Sequence, residues 1–287
     1  MAVRERELTE LETGLDALEI PLAPRVSRAR KIWRATWPKL LATALLLGAW
    51  QLVVWSGWKP ETQIPPPAKA FQSLYDNWDV LSRAMWTTIE RGFKGYSIAL
   101  VIGVIVGAFV SRIPVLRAGV GSMITGLQTM PSIAWFLPAI VVFHLSEGAI
   151  YFVVVLGAAP AIANGLINGV DNIPPVLLRA GRVMGARRFA AFRSVILPAA
   201  LPSFIGGMKQ GWAFAWRSLL AGEIIGAVSG YSLGQQLQVN KDFGDISGLY
   251  AVMILIFVVG VVIDTFLFGF AERAVRRRYG LVDAAAT

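Results

Sequence analysis

Hydrophobic positions in this chain fall in long unbroken runs, not in short alternating ones. Six runs stand out, at residues 40–58, 85–110, 120–143, 149–170, 197–228 and 249–271. Each is close to or above the ~20 residues that a helix rising 1.5 Å per residue needs to cross a ~30 Å hydrocarbon layer. The first is interrupted only by Thr43, Gln51 and Ser56. It is too long for a signal-peptide core and no small-residue cleavage site follows it, so it reads as a span. The second carries Glu90, Arg91 and Lys94 in its first half, and the fifth carries Lys209, Arg217 and Glu223. The third holds Pro131 and Pro138, both expected to break it. The pattern predicts an all-α integral membrane protein with about six transmembrane helices.

Polar segments between the runs divide the chain. Residues 1–39 form a tail, 40–58 the first span, 59–84 an outer segment, 85–271 the helical core and 272–287 a second tail. The first 24 residues hold six acids and two arginines, with Leu8, Leu11, Leu15 and Leu18 at helical spacing. This suggests a loosely ordered tail with some helix. In the outer segment, Ile64-Pro65-Pro66-Pro67 is stiff and extended, and Phe71, Leu74, Tyr75 and Trp78 recur at the spacing of a short interfacial helix. Residues 229–247, with Tyr231, Asn240, Lys241, Asp242 and Asp245, read as a sizeable outer loop.

Charge sharpens the topology. Of 287 residues only 16% are charged, against ~25% in soluble domains, while 55% are hydrophobic. A net charge of +9 raises the possibility of a nucleic-acid partner, but the distribution answers it. If both termini lie in the cytoplasm, 19 of the 27 Lys and Arg residues fall on that side, among them Arg28, Arg30, Arg34, Arg112, Arg117, Arg179 and Arg276. Only Lys59, Lys69, Arg83 and Lys241 fall outside. That is the positive-inside signature of a multi-pass cell-membrane protein. The chain has no cysteine and one histidine, His144, so disulfides, thiolate metal sites and a histidine metal cluster are excluded.

Chemistry concentrates in the cytoplasmic stretch Arg179 to Pro198, RAGRVMGARRFAAFRSVILP, which overlaps a loop at 174–196. It holds five arginines and no acid. Gly185 permits a sharp turn between two short helices. Ala180 and Gly181 offer a small face for a partner's cleft, and Arg179, Arg187 and Arg188 suit an acidic rim. The stretch resembles the coupling loop of inner-membrane permease subunits of binding-protein-dependent ABC importers. That pattern is Glu-Ala-Ala, three residues, Gly, nine residues, then Ile-x-Leu-Pro. Ala180, Gly185, Leu197 and Pro198 match it, whereas Arg179 replaces the acid, Gly181 the second alanine and Val195 the isoleucine. The segments Pro131-Ser-Ile-Ala-Trp-Phe-Leu-Pro138 and Ala215-Trp-Arg-Ser-Leu-Leu-Ala-Gly-Glu223 are similar to the nitrate/sulfonate/taurine branch. The resemblance covers roughly residues 85–275. It implies the type I importer fold, a homodimeric permease, a cytoplasmic ATPase dimer, an extracytoplasmic solute-binding protein and a small, anionic solute. No G-x-x-x-x-G-K-[ST] occurs, so the chain is expected to have no cofactor of its own and no ATPase site, with ATP and Mg held by the partner.

Charges inside spans face protein or water. Arg217 and Glu223 lie ~120° apart on an ideal helix, so they need not pair with each other. Arg217 is a candidate for the solute or for a pair within the bundle, and Asp264 is a candidate buried acid. If Pro131 and Pro138 open the third run, Gln128, Ser132 and Trp135 join Arg217 and Glu223 as candidate pathway residues, because broken backbone at membrane depth lines cavities. Glycine pairs four apart at Gly103/Gly107, Gly165/Gly169, Gly207/Gly211 and Gly222/Gly226 imply tightly packed helices. The alternatives are an ion-coupled secondary transporter, which requires two related halves that are absent, and a membrane enzyme, which requires a cluster of reactive groups not found here.

Overall fold

The structure, a computed structural model, describes residues 28–187, 189–226 and 230–278. The acidic tail with its leucine repeat, Arg188 and residues 279–287 lie outside the described residues. Two units are distinguished, residues 1–58 and 59–287. In the first, α1 runs Arg28–Trp55, starting well before the apolar run because helix-tolerant Arg, Lys and Ala precede it. Its apolar part, Thr36–Trp55, buries no residue, and Leu41, Leu45 and Leu52 are exposed. A helix that is apolar all round and exposed along that stretch suits lipid as its solvent. Trp37 and Trp55, ~27 Å apart along the axis, place aromatic rings at both ends of that stretch.

In the second unit the helices are α2 (Pro67–Asp76), α3 (Trp78–Arg112), α4 (Pro114–Thr129), α5 (Phe136–Phe143), α6 (Glu147–Asp171), α7 (Pro175–Val183), α8 (Phe189–Ala191), α9 (Leu197–Ile224), α10 (Leu233–Asp242), α11 (Ile246–Ile263) and α12 (Gly269–Arg278). No strand occurs among the described residues. Among the described residues four helices, α1 included, are long and apolar enough to cross a membrane, and five spans result if the bent pair α4–α5 counts as one. The sixth expected span is the 28-residue helix α9. Its length suffices, but Lys209, Arg217 and Glu223 keep it from being apolar enough by composition.

Helix α6 is the centre of this unit, with 61% of its apolar window buried. It packs between α3 and α9, and glycine sets both seams. Gly103 and Gly107 of α3 lie against Ala159, Ile162, Ala163 and Leu166 of α6. On the other seam, a methyl group built on Gly165 would lie 2.4 Å from the Gly207 Cα, and one on Gly211 2.6 Å from an Ile162 side-chain carbon. Backbone therefore meets backbone directly, as in small-xxx-small helix pairs. Three of the four glycine pairs thus serve contacts within one subunit. In the fourth, Gly222 makes room for the Phe136 ring, fastening α5 to α9, while Gly226 has a φ of +76° and ends α9. Trp212 anchors an aromatic cluster with Tyr96 (edge-on, 5.3 Å between centroids), Phe93, Trp216 and Phe268.

Two expectations change. The chain turns by 101° between α4 and the segment Ser132–Phe143, so Pro131 does break the third run. Pro138 does not. It is the third residue of α5, where the short, tighter turn Ser132–Trp135 passes into the α-helix, so the helix runs through it. And 229–247 is not simply a loop, because α10 occupies its middle. Ser232 caps α10 by accepting from the Gln235 N–H at 3.3 Å.

Candidate functional site

Helix α7 ends in a Schellman turn. The Ala186 N–H donates to the Gly181 carbonyl (2.9 Å) and the Gly185 N–H to the Arg182 carbonyl (3.0 Å). Gly185 itself has a φ of +81°, the left-handed conformation that L side chains resist. Beyond it, α8 runs into α9 through a π-turn at Phe192–Ile196, in which the Leu197 N–H reaches back to the Phe192 carbonyl. The wider turn comes directly before Pro198, which has no N–H for the Ser194 carbonyl and whose ring crowds it.

Val183 is 90% exposed and Met184 85% exposed. Two large apolar side chains at the tip of a basic turn, left this exposed among the described residues, mark a contact surface. Ala180, Arg179, Arg182 and Arg187 are exposed beside them. Gly181, expected to present a small outward face, is buried instead. A methyl there would lie 2.8 Å from Val195 Cγ2, so this glycine lets α7 close against the π-turn. Leu197 is partly exposed and Pro198 half-buried. The Arg112 guanidinium lies 5.1 Å from the centre of the Phe192 ring, linking the end of α3 to this turn.

Of the five candidate pathway residues, four surround one cavity of about 310 Å³, at the small end of the ~300–1,000 Å³ usual for small-molecule sites. Gln128 comes from the last turn of α4, Ser132 and Trp135 from the turn that leads into α5, and Arg217 from α9. Leu156, Gly157 and Phe214 also line its wall. The Gln128 Nε2 also donates to the Pro160 carbonyl of α6 (3.4 Å). Pro160 lacks the N–H that would close the helical bond to Leu156, which leaves that carbonyl at the cavity wall without its usual donor.

Arg217 is exposed into this space. Its Nε donates to the Ala213 carbonyl (3.0 Å) and its guanidinium lies 4.9 Å from the Phe214 ring centre. Both contacts fix the plane and leave the terminal nitrogens available. Among the described residues no carboxylate forms an ion pair with Arg217. The cavity therefore has an uncompensated positive charge beside neutral donors and acceptors, a combination that favours an anion.

Glu223, the fifth candidate, lies elsewhere. Its side chain is fully buried and pairs with Arg91 of α3 at 3.5 Å. Nothing in the sequence joins Thr88 and Arg91 to Glu223, which lie 135 and 132 residues away. Lys209 and Asp264 form a pair at 3.2 Å with both side chains partly exposed, so Asp264 is neither buried nor alone. Lys94 and Glu90 pair at 2.7 Å, as their i,i+4 spacing suggests.

The comparisons agree with this arrangement. The model of the binding-protein-dependent transport system inner membrane component matches residues 99–277. The bicarbonate transport system permease protein CmpB of Synechococcus elongatus is 29% identical over 247 residues, covering 79% of this chain and 86% of that one. The nitrate import permease protein NrtB of Leptolyngbya laminosa is 25% identical, with 85% and 90% covered. The taurine transport system permease protein TauC of Escherichia coli is 24% identical, with 91% and 97% covered. Among solved structures, the inward-facing MetNI methionine ABC transporter superposes with a TM-score of 0.58 at 24% identity, covering 70% of this chain and 98% of that chain. An all-helical bundle with several apolar helices, a turn of this form and these relatives lead to one assignment: the chain is a multi-pass inner-membrane permease of the binding-protein-dependent ABC importer family, in its nitrate/sulfonate/taurine branch.

Proposed function

We propose that this permease imports a small oxyanion of the sulfonate, nitrate or bicarbonate type, and that the anion passes through the cavity at Arg217. The observation that carries the solute class is a guanidinium held in place over Phe214 with no carboxylate partner among the described residues. The relatives that transport nitrate, taurine and bicarbonate support it. The termini and the Gly185 turn face the cytoplasm, a reading supported by the 19 basic residues on that side. There a separate ATPase dimer grips the turn through Val183, Met184 and the arginines. An extracytoplasmic binding protein delivers the solute to the opposite side, and two copies of the permease bring their cavities to a common axis. Nucleotide binding moves the turn, and α9 carries that motion to Arg217.

Uptake of labelled taurine, nitrate and bicarbonate into cells tests the solute class. Replacing Arg217→Gln removes one or two charge-assisted hydrogen bonds of ~1.5–3 kcal/mol, so uptake of the transported anion should fall ~10–100-fold. Arg217→Lys keeps the charge and should retain part of the activity. Undiminished anion uptake by Arg217→Gln, with equal amounts of permease in the membrane, would overturn the reading.

A further inference from the structure

We propose that Thr88, Arg91 and Glu223 form a buried clasp that fastens the outer helix α10 to the bundle and relays the position of that helix to α9. The relay rests on the function proposed above for its orientation and for the role of Arg217. The fastening itself rests on geometry alone.

The Glu223 carboxylate accepts from the Thr88 hydroxyl (2.9 Å) and from the Gly234 N–H (3.2 Å), with the Arg91 Nη1 at 3.5 Å. Thr88 Oγ1 in turn accepts from the Leu233 N–H at 2.9 Å. One hydroxyl thus spends its proton on α9 and a lone pair on the start of α10. The carboxylate meets the first turn of α10, where unpaired N–H groups and the helix dipole favour negative charge. Arg91 extends the clasp to α6, donating from Nε to Glu147 at 3.1 Å. Thr88, Ser232 and Leu233 are all buried.

Packing alone does not require these groups. A buried ion pair is replaceable by apolar side chains with little loss, so its presence points to geometry rather than adhesion. Gly226 (φ +76°) ends α9 and Gly230 (φ +130°) stands shortly before α10, both in the left-handed half of backbone space. Tyr231 and Phe243, at the two ends of α10, are 61% and 85% exposed. A partner pressing on those rings loads α10, and the clasp is its polar attachment to α9. Glu223 and Arg217 stand six residues apart on α9, ~9 Å of uninterrupted helix. Coupling is reciprocal, so a change imposed on α9 from the cytoplasmic end must reach α10 as well.

Thr88→Val keeps the shape and removes both hydrogen bonds, whereas Thr88→Ser keeps both. In the purified permease, amide exchange at Leu233 and Gly234 should be about tenfold faster in Thr88→Val and unchanged in Thr88→Ser. The chain has no cysteine, so a spin label at Phe243→Cys, attached before assembly with a separately purified ATPase, reports from the C-terminal end of α10. In the assembly with its ATPase, trapping with ATP, Mg and vanadate should shift the label's mobility. Thr88→Val should reduce that shift about fivefold and leave basal ATP hydrolysis unchanged, and Thr88→Ser should behave as wild type. If Thr88→Val accumulates poorly, Glu223→Gln, which keeps the shape and one acceptor, is read by the same two measurements.

Unchanged exchange in Thr88→Val overturns the clasp. Faster exchange with a full nucleotide-dependent shift, or no shift in the wild type, overturns the relay. Neither readout depends on the solute. Loss of the relay with the Arg217→Gln defect intact therefore removes this inference alone, and an inert Arg217→Gln beside an uncoupled Thr88→Val removes the solute reading alone.

Discussion

Gly165→Leu should yield no folded permease. The contact between α6 and α9 leaves 2.4 Å between a built methyl and the Gly207 Cα, and the clash is with backbone. Overpacking in a core that can shift its side chains costs ~1–3 kcal/mol. Here no side chain is available to yield, so one of the two largest interfaces of the unit must separate. In fluorescence-detected size-exclusion chromatography the variant should elute as aggregate, with no monodisperse peak. Gly206→Ala, one residue from Gly207 but facing open space, is the control. It removes a helix-interior glycine and should leave the midpoint of thermal unfolding unchanged or raise it, by the equivalent of ~0.5–1 kcal/mol. A monodisperse Gly165→Leu protein with wild-type thermal stability would mean that the seam between α6 and α9 is not as close as described.

The second large effect is at the turn. Gly185→Trp should abolish co-purification of the ATPase and, with it, all transport, while the permease still inserts and folds. Nothing lies within 4 Å of a Cβ at Gly185, so the fold has room for a side chain. The left-handed backbone does not suit one, at ~1–2 kcal/mol for an ordinary L residue, and the indole would project from the tip beside Val183 and Met184. Gly185→Asn separates the two causes. Asparagine tolerates the left-handed region, so it should keep most ATPase binding. Full ATPase recovery with a correctly inserted Gly185→Trp variant would argue against the turn as the gripped surface.

Much of this architecture was legible because its causes are local. Long apolar runs report spans, basic loops report sidedness, and Gly185 between two short helical stretches of a basic segment reports a turn. Glycines spaced four apart reported close helix packing, though not which helices meet. What escaped was set by distance or by competing local rules. Helix α10 is polar along its length and reads as loop, yet Ser232-Leu-Gly-Gln235 is a capping-box pattern and was the signal available. Pro138 reads as a breaker from sequence, but it falls where the tight turn that follows Pro131 passes into α5, and the helix continues through it. Glu223 was recognisable as an expensive residue to bury, but its partners lie on α3 and α10, and no spacing rule connects them. Gly181 resembled part of a docking face because a family alanine aligns there, while the fold uses its small size inward against Val195.

The bare meeting of Gly165 and Gly207 has a mechanical consequence. Ordinary helix interfaces interlock, and to shift one helix against the other its rotamers must first disengage. Where two main chains touch with nothing between them there are no cogs to lift, so a small tilt there leaves the contact intact. On the function proposed above, this spot is suited to be the bearing on which α9 pivots, with the motion of the Gly185 turn at one end of the shaft and the cavity at Arg217 towards the other.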